Sequence, residues 1–332
     1  MTATIIGDHN VMSKTVVIIP TYQSGDAIAS VTADLLMHGF EHIIVVDDCC
    51  PDDSTKFLKN INVKVVRTPK NLGVGGAFIY GAEQIPALFN AKNIKYIAKI
   101  DSDGQHNPEE LKDMCLFMSR DSCDMLKGNR YLLGRLPKGQ PFLRKAGNSG
   151  LSFFNKLSTG FWHLDDPVNG MLLLNRRLFD LIPTLETHNR YLFESSLLTN
   201  ISRIDGVVHD FPTTVVYGDE VSNLSVKKEL FRFSKFHLSA TTSRLIREYF
   251  YPKFDPASIG IIGSVLFPIG IIEAFRLWLL GIITNTPSEP GEIALTLLFI
   301  IMGFVSLVFF FQRDQYKSLD QKPISNYFPD YD

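Results

Sequence analysis

The chain has 332 residues, a formal net charge of -2 and 45% hydrophobic residues, which is enough for one large domain or two with a sizeable core. The near-neutral charge argues against a nucleic-acid-binding protein, because such domains are usually strongly basic. Cys49, Cys50, Cys115 and Cys123 have no CxxC spacing, so we predict reduced thiols in a cytoplasmic domain, without a disulfide framework or a zinc site. Residues 1–13 are polar, and the sequence therefore predicts no signal peptide.

Residues 15–130 alternate short apolar runs with segments of helical periodicity. The apolar runs are predicted to be strands at 15–19, 42–46, 63–66 and 96–100. The segments between them are predicted to contain helices at 26–39, 56–60 and 75–90. This alternation predicts βαβ units in an α/β domain with a Rossmann-like, mostly parallel sheet.

A polar motif follows each predicted strand. The motifs are Pro20-Thr21-Tyr22, Asp47-Asp48, Asn71-Leu72-Gly73 and Asp101-Ser102-Asp103. Ligands of parallel α/β sheets bind at the carboxyl ends of the strands, so we expect the four motifs to share one edge. The run Gly73-Val74-Gly75-Gly76 is GxGG and not a full GxGxxG, which favours helix packing and close backbone approach over dinucleotide binding.

The stretch 99–111, KIDSDGQHNPEEL, is the most informative of these motifs. Asp101 and Asp103 lie two positions apart after an apolar strand, so both carboxylates can face one ion, and Gln105 offers a third oxygen. Hard divalent cations prefer such ligands. An isolated DxD is more often a solvated turn, but the helix start at Pro108-Glu109 makes this motif more specific.

The second half of the sequence mixes more elements. Strands are predicted at 171–174 and 207–216, and helices at 151–157 and 191–204. Residues 226–254 then combine basic and aromatic side chains. Basic amphipathic helices of this kind lie on anionic membrane surfaces, and a solvated helix pair is the alternative.

Two apolar segments follow. Residues 293–311 carry no charge and are long enough to span a membrane, whereas residues 259–283 include Glu273 and Arg276. In the longer segment, apolar residues favour insertion by roughly 6 kcal/mol and the two charges oppose it by about 5 to 7 kcal/mol, so it is marginal alone. Glu273 and Arg276 are three apart on one helix face and are predicted to pair with each other or with a neighbouring subunit.

The flanking charges predict a hairpin. Basic residues precede the first segment (Arg244, Arg247, Lys253) and follow the second (Arg313, Lys317, Lys322). The loop 284–292 has acidic residues and no Lys or Arg. The positive-inside rule therefore places both ends in the cytoplasm, with a re-entrant first segment as the alternative.

The motifs at 20–22, 46–48 and 71–77, with DSDGQH at 101–106, resemble in type and order those of inverting family 2 glycosyltransferases of GT-A fold. Within that family, the sequence most resembles dolichyl-phosphate mannose synthases and bacterial polyprenyl-phosphate glycosyltransferases. This closer resemblance rests on GNRY at 128–131, Arg144, DPVNG at 166–170, the amphipathic region and the two apolar segments. Together the matching features cover nearly the whole chain.

The resemblance implies a role for each matching position. Nucleotide-sugar binding is implied for Pro20, Thr21, Tyr22, Val46, Asp48, Asn71, Gly73 and Ser102. Asp101 and Asp103, with Gln105, would hold Mg²⁺ or Mn²⁺ on the diphosphate. Catalytic roles are implied for Asp101, Asp103 and Arg130, and acceptor-phosphate contacts for Arg144, Asn148, Lys227 and Lys228. Glu194 is a candidate base if the acceptor is a sugar hydroxyl.

Three departures stand against the family pattern. Gln23-Ser24 replace the usual Asn-Glu, and Cys49-Cys50 replace Gly-Ser. The stretch 217–223 lacks the Arg that commonly precedes Gly-Glu-Ser-Lys, so Lys227 or Lys228 would have to serve the phosphates.

The implied function is inverting, metal-dependent transfer of one sugar from a UDP- or GDP-linked donor to polyprenyl phosphate, giving a lipid-linked sugar for cell-surface glycan modification. The expected location is the plasma (inner) membrane, multi-pass, with no nucleic-acid partner and with room for a homo-oligomer. The expected segments are a cytoplasmic GT-A domain (1–225), amphipathic helices (226–256), two spans (257–312) and a cytoplasmic tail (313–332). The alternatives are a transferase that extends a lipid-linked saccharide through a hydroxyl, or a catalytically silent membrane scaffold that binds nucleotide sugar.

Overall fold

The structure, a computed structural model, describes residues 10–59, 61–120, 123–132, 142–181, 187–190, 192–214, 226–250 and 258–319. Among these, the side chains of 142–146, 226–230, 259 and 319 are not described. The chain divides into two compact units, the first reaching His237 and the second beginning at Leu238. Each unit is described by itself.

The first unit is built on a seven-stranded mixed sheet with the order β3-β2-β1-β4-β6-β5-β7. The strands are β1 (Thr15–Thr21), β2 (His42–Asp47), β3 (Lys64–Arg67), β4 (Tyr96–Lys99), β5 (Met125–Asn129), β6 (Leu172–Asn175) and β7 (Val208–Pro212). Strand β6 pairs antiparallel with both β4 and β5, while the other pairs are parallel. The predicted α/β class with a mostly parallel sheet is therefore confirmed.

Seven α-helices and two 3₁₀ turns accompany these strands in the described part of the unit. The helices are α1 (Ala27–Met37), α2 (Gly73–Glu83), α3 (Ile85–Leu88), α4 (Pro108–Met118), α5 (Phe142–Thr159), α6 (Arg176–Leu181) and α7 (Phe193–Arg203). The 3₁₀ turns are Ser54–Leu58 and Ala91–Asn93, the first replacing the helix predicted at 56–60.

Two further elements differ from the sequence expectation. The helix predicted at 75–90 is divided into α2 and α3, because Pro86 lacks an N–H and its ring would clash with the preceding turn of a continuous helix. Strand β5 was not predicted, since Lys127 interrupts the apolar run that would have indicated it. The strand predicted at 207–216 ends at Pro212 among the described residues, and its last two positions lie outside them.

Apolar side chains fill both faces of the sheet. On β1, Val16 and Ile18 point to the cluster that contains Phe78 and Phe193 of the helices on one face. Val17 and Ile19 of the same strand pack into the cluster on the other face, and all four β1 side chains are fully buried. Burial on both faces explains why these strands read as continuous apolar runs. It holds the carboxyl ends of the strands rigidly in line.

The second unit contains two long apolar helices. After α8 (Val226–Leu245), in which the unit boundary falls, and a π-helical turn (Ile246–Phe250), the chain forms α9 (Ile259–Thr284) and α10 (Pro290–Leu319). Both are long and apolar enough to cross a membrane: 18-residue stretches within 260–284 and 290–318 have mean hydropathies of 1.9 and 2.8. They contain the two predicted spans.

Glycines bring α9 and α10 close together. A Cβ on Gly263 would lie 2.5 Å from the carbonyl oxygen of Gly303, and one on Gly303 would lie 2.5 Å from the backbone nitrogen of Phe267. Small residues at such contacts are typical of helices that associate in lipid. Arg276 Nε lies 2.9 Å from Glu273 Oε2, so the two charges of α9 pair with each other.

A buried polar network joins the last turn of α8 to α10. The guanidinium of Arg244 donates two hydrogen bonds to Asp314, at 2.8 and 2.9 Å, and Tyr249 Oη donates to the same carboxylate at 2.7 Å. Each of the three side chains is at most 2% exposed. A buried carboxylate with three charge-assisted or hydroxyl donors is fully compensated, and breaking the set would be costly.

Candidate active site

A cavity of about 890 Å³ opens at the carboxyl ends of β1, β2 and β4. Nine residues predicted to bind the donor or a metal line it: Pro20, Thr21, Tyr22, Asp48, Asn71, Gly73, Asp101, Ser102 and Asp103. The structure therefore brings the four sequence motifs to one edge of the sheet. The volume suits a ligand of nucleotide-sugar size, within the range of small-molecule sites.

Two predicted ligand-binding residues lie elsewhere. The side chain of Val46 is fully buried in the core and packs against Gly81 of α2. Val46 and Ile44 lie two positions apart on β2, so both point to the face of the sheet that α2 covers. The contact of Val46 with a nucleotide is therefore not supported by its position. The backbone N–H of Gln105 donates to Asp103 Oδ1 at 2.9 Å, but Gln105 does not line the cavity.

The N-terminus of α2 is capped by other parts of the protein. Both carboxylate oxygens of Asp48 accept backbone N–H groups there, from Leu72 and Gly73 at 2.7 Å each. The carbonyl oxygen of Asn189 accepts two more, from Gly75 at 2.9 Å and Gly76 at 3.2 Å. These are the donors that a helix N-terminus would otherwise offer to an anion. The end of α2 is therefore not a phosphate cradle.

The glycines of the GxGG run are packing residues, as predicted. A Cβ on Gly73 would lie 2.6 Å from Cγ of Arg190, and one on Gly75 would overlap the ring of Phe193. Gly73 also has a φ of +78°, which other residues rarely adopt. The run thus allows Asn189, Arg190 and Phe193 to lie directly on α2.

Asp101 is held by three neighbours. Lys99 Nζ donates to its Oδ1 at 2.6 Å, and His106 Nε2 lies 3.6 Å from Oδ2. A Cβ on Gly170 would overlap Oδ2, so only glycine fits beneath this carboxylate. Burial raises the pKa of Asp101, but the Lys99 ammonium and His106 outweigh it, and the net pKa lies well below its usual range.

Two buried lysines lie beneath the cavity. Lys99 on β4 and Lys127 on β5 are both fully buried and flank Leu172 of β6 in register. Lys99 donates to the carbonyl of Gly170 at 3.0 Å, and Lys127 donates to that of Asn169. Burial lowers the pKa of Lys127 to about 8, against the opposing charges of Glu194 and Asp166. The pair clamps the turn that precedes β6.

Glu194, the candidate base, is part of the same cluster. It stands in the first turn of α7, is 8% exposed, and its Oε1 lies 3.6 Å from Lys99 Nζ. Burial lowers the pKa of Lys99, but the negative charges of Asp101 and Glu194 raise it by more, so the net pKa lies above its usual value. Glu194 thus has a permanently charged partner.

Arg130 is oriented by Asp166. Its Nε and Nη2 donate to the two carboxylate oxygens at 2.7 and 2.8 Å, a bidentate pair in which Asp166 is 1% exposed. Asn169 Nδ2 lies 3.2 Å from the hydroxyl of Thr213, and its Oδ1 accepts the N–H of Met171 at 2.9 Å. The DPVNG turn, residues 166–170, therefore connects Arg130 to the two buried lysines, Lys99 and Lys127.

Of the four predicted acceptor residues, only Asn148 has a side chain that the structure describes. Arg144 belongs to α5, and Lys227 and Lys228 to α8, but their side chains lie outside the described part of the structure. Asn148 Nδ2 donates to Tyr131 Oη at 3.0 Å. Their role in acceptor binding stays a prediction.

The two aspartates fit a divalent cation. Both line the cavity, and burial together with the charge of Asp101 raises the pKa of Asp103. A cation between them would relieve that repulsion, and carboxylate oxygens are its preferred ligands. No cluster of three His, Cys, Asp or Glu side chains that could hold an ion occurs among the described residues. The remaining ligands would therefore come from a bound diphosphate and water.

The sequence did not lead us to predict a role in the site for Lys99, Lys127 or Arg190. A signal existed for the first two, because a lysine inside an otherwise apolar strand needs a buried partner. Asp101 lies only two positions after Lys99, but the backbone carbonyls that bind the two lysines come 42 positions or more later in the sequence. Arg190 lies in a short segment without periodicity and lines the cavity.

Comparisons with known proteins agree with this geometry. Residues 16–182 match the model of the family described as glycosyl transferase family 2. The UDP-N-acetylglucosamine–dolichyl-phosphate N-acetylglucosaminyltransferase of Methanococcus voltae is 27% identical over 217 residues, 60% of this chain and 84% of that protein. The low-salt glycan biosynthesis hexosyltransferase of Haloferax volcanii is 23% identical over 310 residues, 85% of this chain and 71% of that protein.

Solved structures share the fold. Glucosyl-3-phosphoglycerate synthase of Mycobacterium tuberculosis with UDP superposes with a TM-score of 0.54 at 16% identity, covering 72% of this chain and 83% of that one. The same enzyme with Mn²⁺, UDP and glucosyl-3-phosphoglycerate gives 0.53. The family match covers half of the chain, and it coincides with the cavity and with the strands that carry its motifs. The chain is thus a glycosyltransferase of GT-A fold that belongs to glycosyltransferase family 2.

Proposed function

We propose that the protein transfers one sugar, with inversion, from a UDP- or GDP-linked donor to a polyprenyl phosphate at the cytoplasmic face of a membrane. The observation that carries this proposal is the Asp101–Asp103 pair on the wall of a cavity of nucleotide-sugar size. The dolichyl-phosphate acceptor in the name of the Methanococcus voltae relative supports the acceptor class. The product would be a lipid-linked sugar for cell-surface glycan modification.

The donor would bind across the strand ends. Tyr22 is 49% exposed at the cavity and is available to cover a nucleobase. The residues proposed to contact the nucleotide sugar are Pro20, Thr21, Tyr22, Asp48, Asn71, Gly73 and Ser102. Asp101 and Asp103 would hold Mg²⁺ or Mn²⁺, which offsets the negative charge that develops on a leaving diphosphate. Lys99 keeps Asp101 ionised and in place for that contact.

The acceptor is proposed to be a phosphate because the described residues of the site provide cations that suit one. A phosphate is already anionic near pH 7 and needs no proton removed. Glu194 is buried and ion-paired with Lys99, so its carboxylate already has a partner within the protein. Arg130, aligned by Asp166, offers a planar donor to phosphate. Arg144, Asn148, Lys227 and Lys228 remain proposed acceptor contacts.

The membrane arrangement is part of the proposal. α9 and α10 would form a multi-pass hairpin in the plasma (inner) membrane, with the catalytic unit and both hairpin ends in the cytoplasm. The proposed segments are 1–225, 226–256, 257–312 and 313–332. Cysteines placed at 287–291 should react with an impermeant thiol reagent from outside the cell, and cysteines placed at 317–322 should not. Labelling in the reverse pattern rejects this topology.

The decisive experiment measures sugar transfer by the full chain in detergent. UDP- and GDP-sugars are offered with a synthetic polyprenyl phosphate, the matching polyprenol, or a lipid-linked saccharide, each with Mn²⁺ or with chelator. We expect transfer to the phosphate alone, loss of activity with chelator, and loss in Asp103→Asn. The exposed Asp26→Asn variant is the matched control. Transfer to the lipid-linked saccharide would select the hydroxyl-acceptor alternative, and donor binding without any transfer would select the silent scaffold.

A further inference from the structure

A second pocket, of about 290 Å³, adjoins the nucleotide-sugar cavity. Six of its lining residues are polar: Lys70, Asn71, His188, Asn189, Arg190 and Arg232. Asn71 and Arg190 line both spaces, so the two share a wall. All of these residues belong to the first unit.

The charge of this pocket is one-sided. Lys70, Arg190 and Arg232 contribute three positive charges, and the two asparagines and His188 contribute further donors, while none of the described residues that line the pocket is acidic. The chain as a whole has a net charge of -2. A space lined by cationic and neutral hydrogen-bond donors suits an anionic ligand. The lining therefore indicates a phosphate-type ligand, which guanidinium groups bind in a bidentate manner.

Arg190 is fixed in position before a ligand arrives. Its Nη2 donates to Asn71 Oδ1 at 2.9 Å, and Asn71 Nδ2 donates in turn to the carbonyl of Asp48 at 3.3 Å. Its own carbonyl accepts the N–H of Phe193 at 2.7 Å, and its Cγ lies against Gly73. Preorganised donors lose less entropy on binding.

The pocket lies next to the reacting centre. Arg190 lies four residues before Glu194 in the sequence, and Glu194 contacts Lys99, which holds Asp101. On the other side, Arg232 belongs to α8, whose basic and aromatic sequence is typical of helices at a membrane surface. A phosphate in the pocket would thus lie between the site of transfer and the side from which a lipid approaches.

We propose that Lys70, Arg190 and Arg232 bind a phosphate monoester, namely that of the lipid acceptor. This assignment rests on the proposed function, since it names the acceptor-binding residues of the same site. It adds three residues that neither the motifs nor the comparisons indicate. The ligand chemistry is shared by free phosphate, by nucleotides and by anionic head groups, so the experiment separates these sources.

The test uses the full chain in detergent and measures binding, not turnover. The probes are farnesyl phosphate, farnesol, inorganic phosphate and UDP, with vesicles containing phosphatidylglycerol as a separate arm. The variant is Lys70→Gln/Arg232→Gln, which leaves the Arg190 wall of the donor cavity intact. The control is Lys59→Gln/Lys92→Gln, which removes the same charge from exposed positions outside both pockets.

We expect the variant to bind farnesyl phosphate at least about 10-fold more weakly, because each lost hydrogen bond to a charged group is worth that much or more. Affinities for farnesol and UDP should stay within about twofold, and the control should match the wild type. Inorganic phosphate should compete with farnesyl phosphate in the wild type and less in the variant.

Three results would overturn the proposal. They are unchanged farnesyl phosphate binding, an equal loss of UDP binding, and loss of vesicle binding alone. The transfer assay distinguishes the two proposals. If the variant binds farnesyl phosphate more weakly but the wild type transfers no sugar, the proposed function is refuted and the phosphate-binding pocket is not. If the wild type transfers sugar normally but the variant binds farnesyl phosphate as well as the wild type does, the phosphate-binding pocket is refuted and the proposed function is not.

Discussion

The ammonium of Lys99 lies 2.6 Å from Oδ1 of Asp101, two residues further along the same strand end. The same ammonium contacts Glu194 of α7 and the carbonyl of Gly170 before β6. One buried cation therefore connects the metal motif, the candidate base and the DPVNG turn. The Asp101 carboxylate is oriented by the protein itself, so a metal ion would find it in place.

Replacing Lys99 should uncouple these parts. We expect Lys99→Met to lower kcat by about 100-fold and the free energy of unfolding by about 3 kcal/mol, because the buried Glu194 and the partly exposed Asp101 both lose their partner. Lys95→Met, at an exposed position just before the same strand, is the control. Steady-state kinetics and urea unfolding measure the two effects.

A second variant separates stability from orientation. Lys99→Met/Glu194→Gln removes one of the two unpaired charges and should recover part of the lost stability without recovering kcat. Should Lys99→Met retain full turnover, the lysine has no positioning role and only balances buried charge.

Gly170 provides the next prediction. A Cβ at this position would overlap Asp101 Oδ2, while one at Gly150 of α5 would meet no atom within 4 Å. Gly170→Ala should displace the Asp101 carboxylate and lower kcat by at least about 10-fold, since small misplacements at a reacting centre are costly. Gly150→Ala should keep full activity. Mn²⁺ affinity, measured by electron paramagnetic resonance, should fall in Gly170→Ala only, and equal affinities in the two variants would contradict this reading.

Asp210 should give the stability a recognisable pH dependence. Burial raises the pKa of its carboxyl to about 6, and its Oδ1 is buried without a hydrogen-bond partner. Between pH 4 and 6 the folded chain holds a proton that the unfolded chain has released, so stability falls as the pH rises through this window. Asp210→Asn cannot ionise and should be about 2 kcal/mol more stable at pH 8. Urea unfolding from pH 4 to 8 tests it, with Asp26→Asn as control; parallel curves for Asp210→Asn and wild type would refute the assignment.

The glycines between α9 and α10 should limit the stability of that helix pair. At Gly263 a Cβ would lie 2.5 Å from a backbone oxygen of α10, whereas at Gly291 it would meet no atom within 4 Å. Gly263→Ala should destabilise the pair by about 1 to 3 kcal/mol through overpacking, and Gly291→Ala should not. Disulfide cross-linking between cysteines on the two helices reports the distance. Equal cross-linking in both variants would show that the contact tolerates the extra methyl group.

The sequence predicts β1, β2 and β4 well because these strands are buried on both faces. Val16 to Ile19 form an uninterrupted apolar run for that reason, and the DxD motif follows the strand that ends at Lys99. Residues 20–22, 48, 71 and 73 then meet in the cavity because parallel strands end at one edge.

The antiparallel part of the site is less visible in the sequence. Lys127 interrupts the apolar run of β5, so the sequence pattern does not indicate this strand. The partners of Lys99 and Lys127 include backbone carbonyls, which no side-chain pattern can reveal. The role of Gly170 depends on a contact with Asp101, 69 positions earlier, and such proximity follows only from the tertiary fold. Arg190 is likewise identified by its position over Gly73 and not by any local pattern.

The reversed strand β6 also affects how the chain folds during synthesis. Strand β5 pairs with β6 and β7 and not with any strand made before it, while β1 to β4 pair among themselves. A ribosome that has just made Asn129 must therefore add residues up to 172 before β5 finds a partner, a delay of a few seconds at roughly 5 to 20 residues per second. Until then Lys99 lacks the carbonyl of Gly170, and the edge of β4 that pairs with β6 in the folded chain has no partner strand. A chaperone that covers this edge would keep it from pairing with another chain before β6 is made.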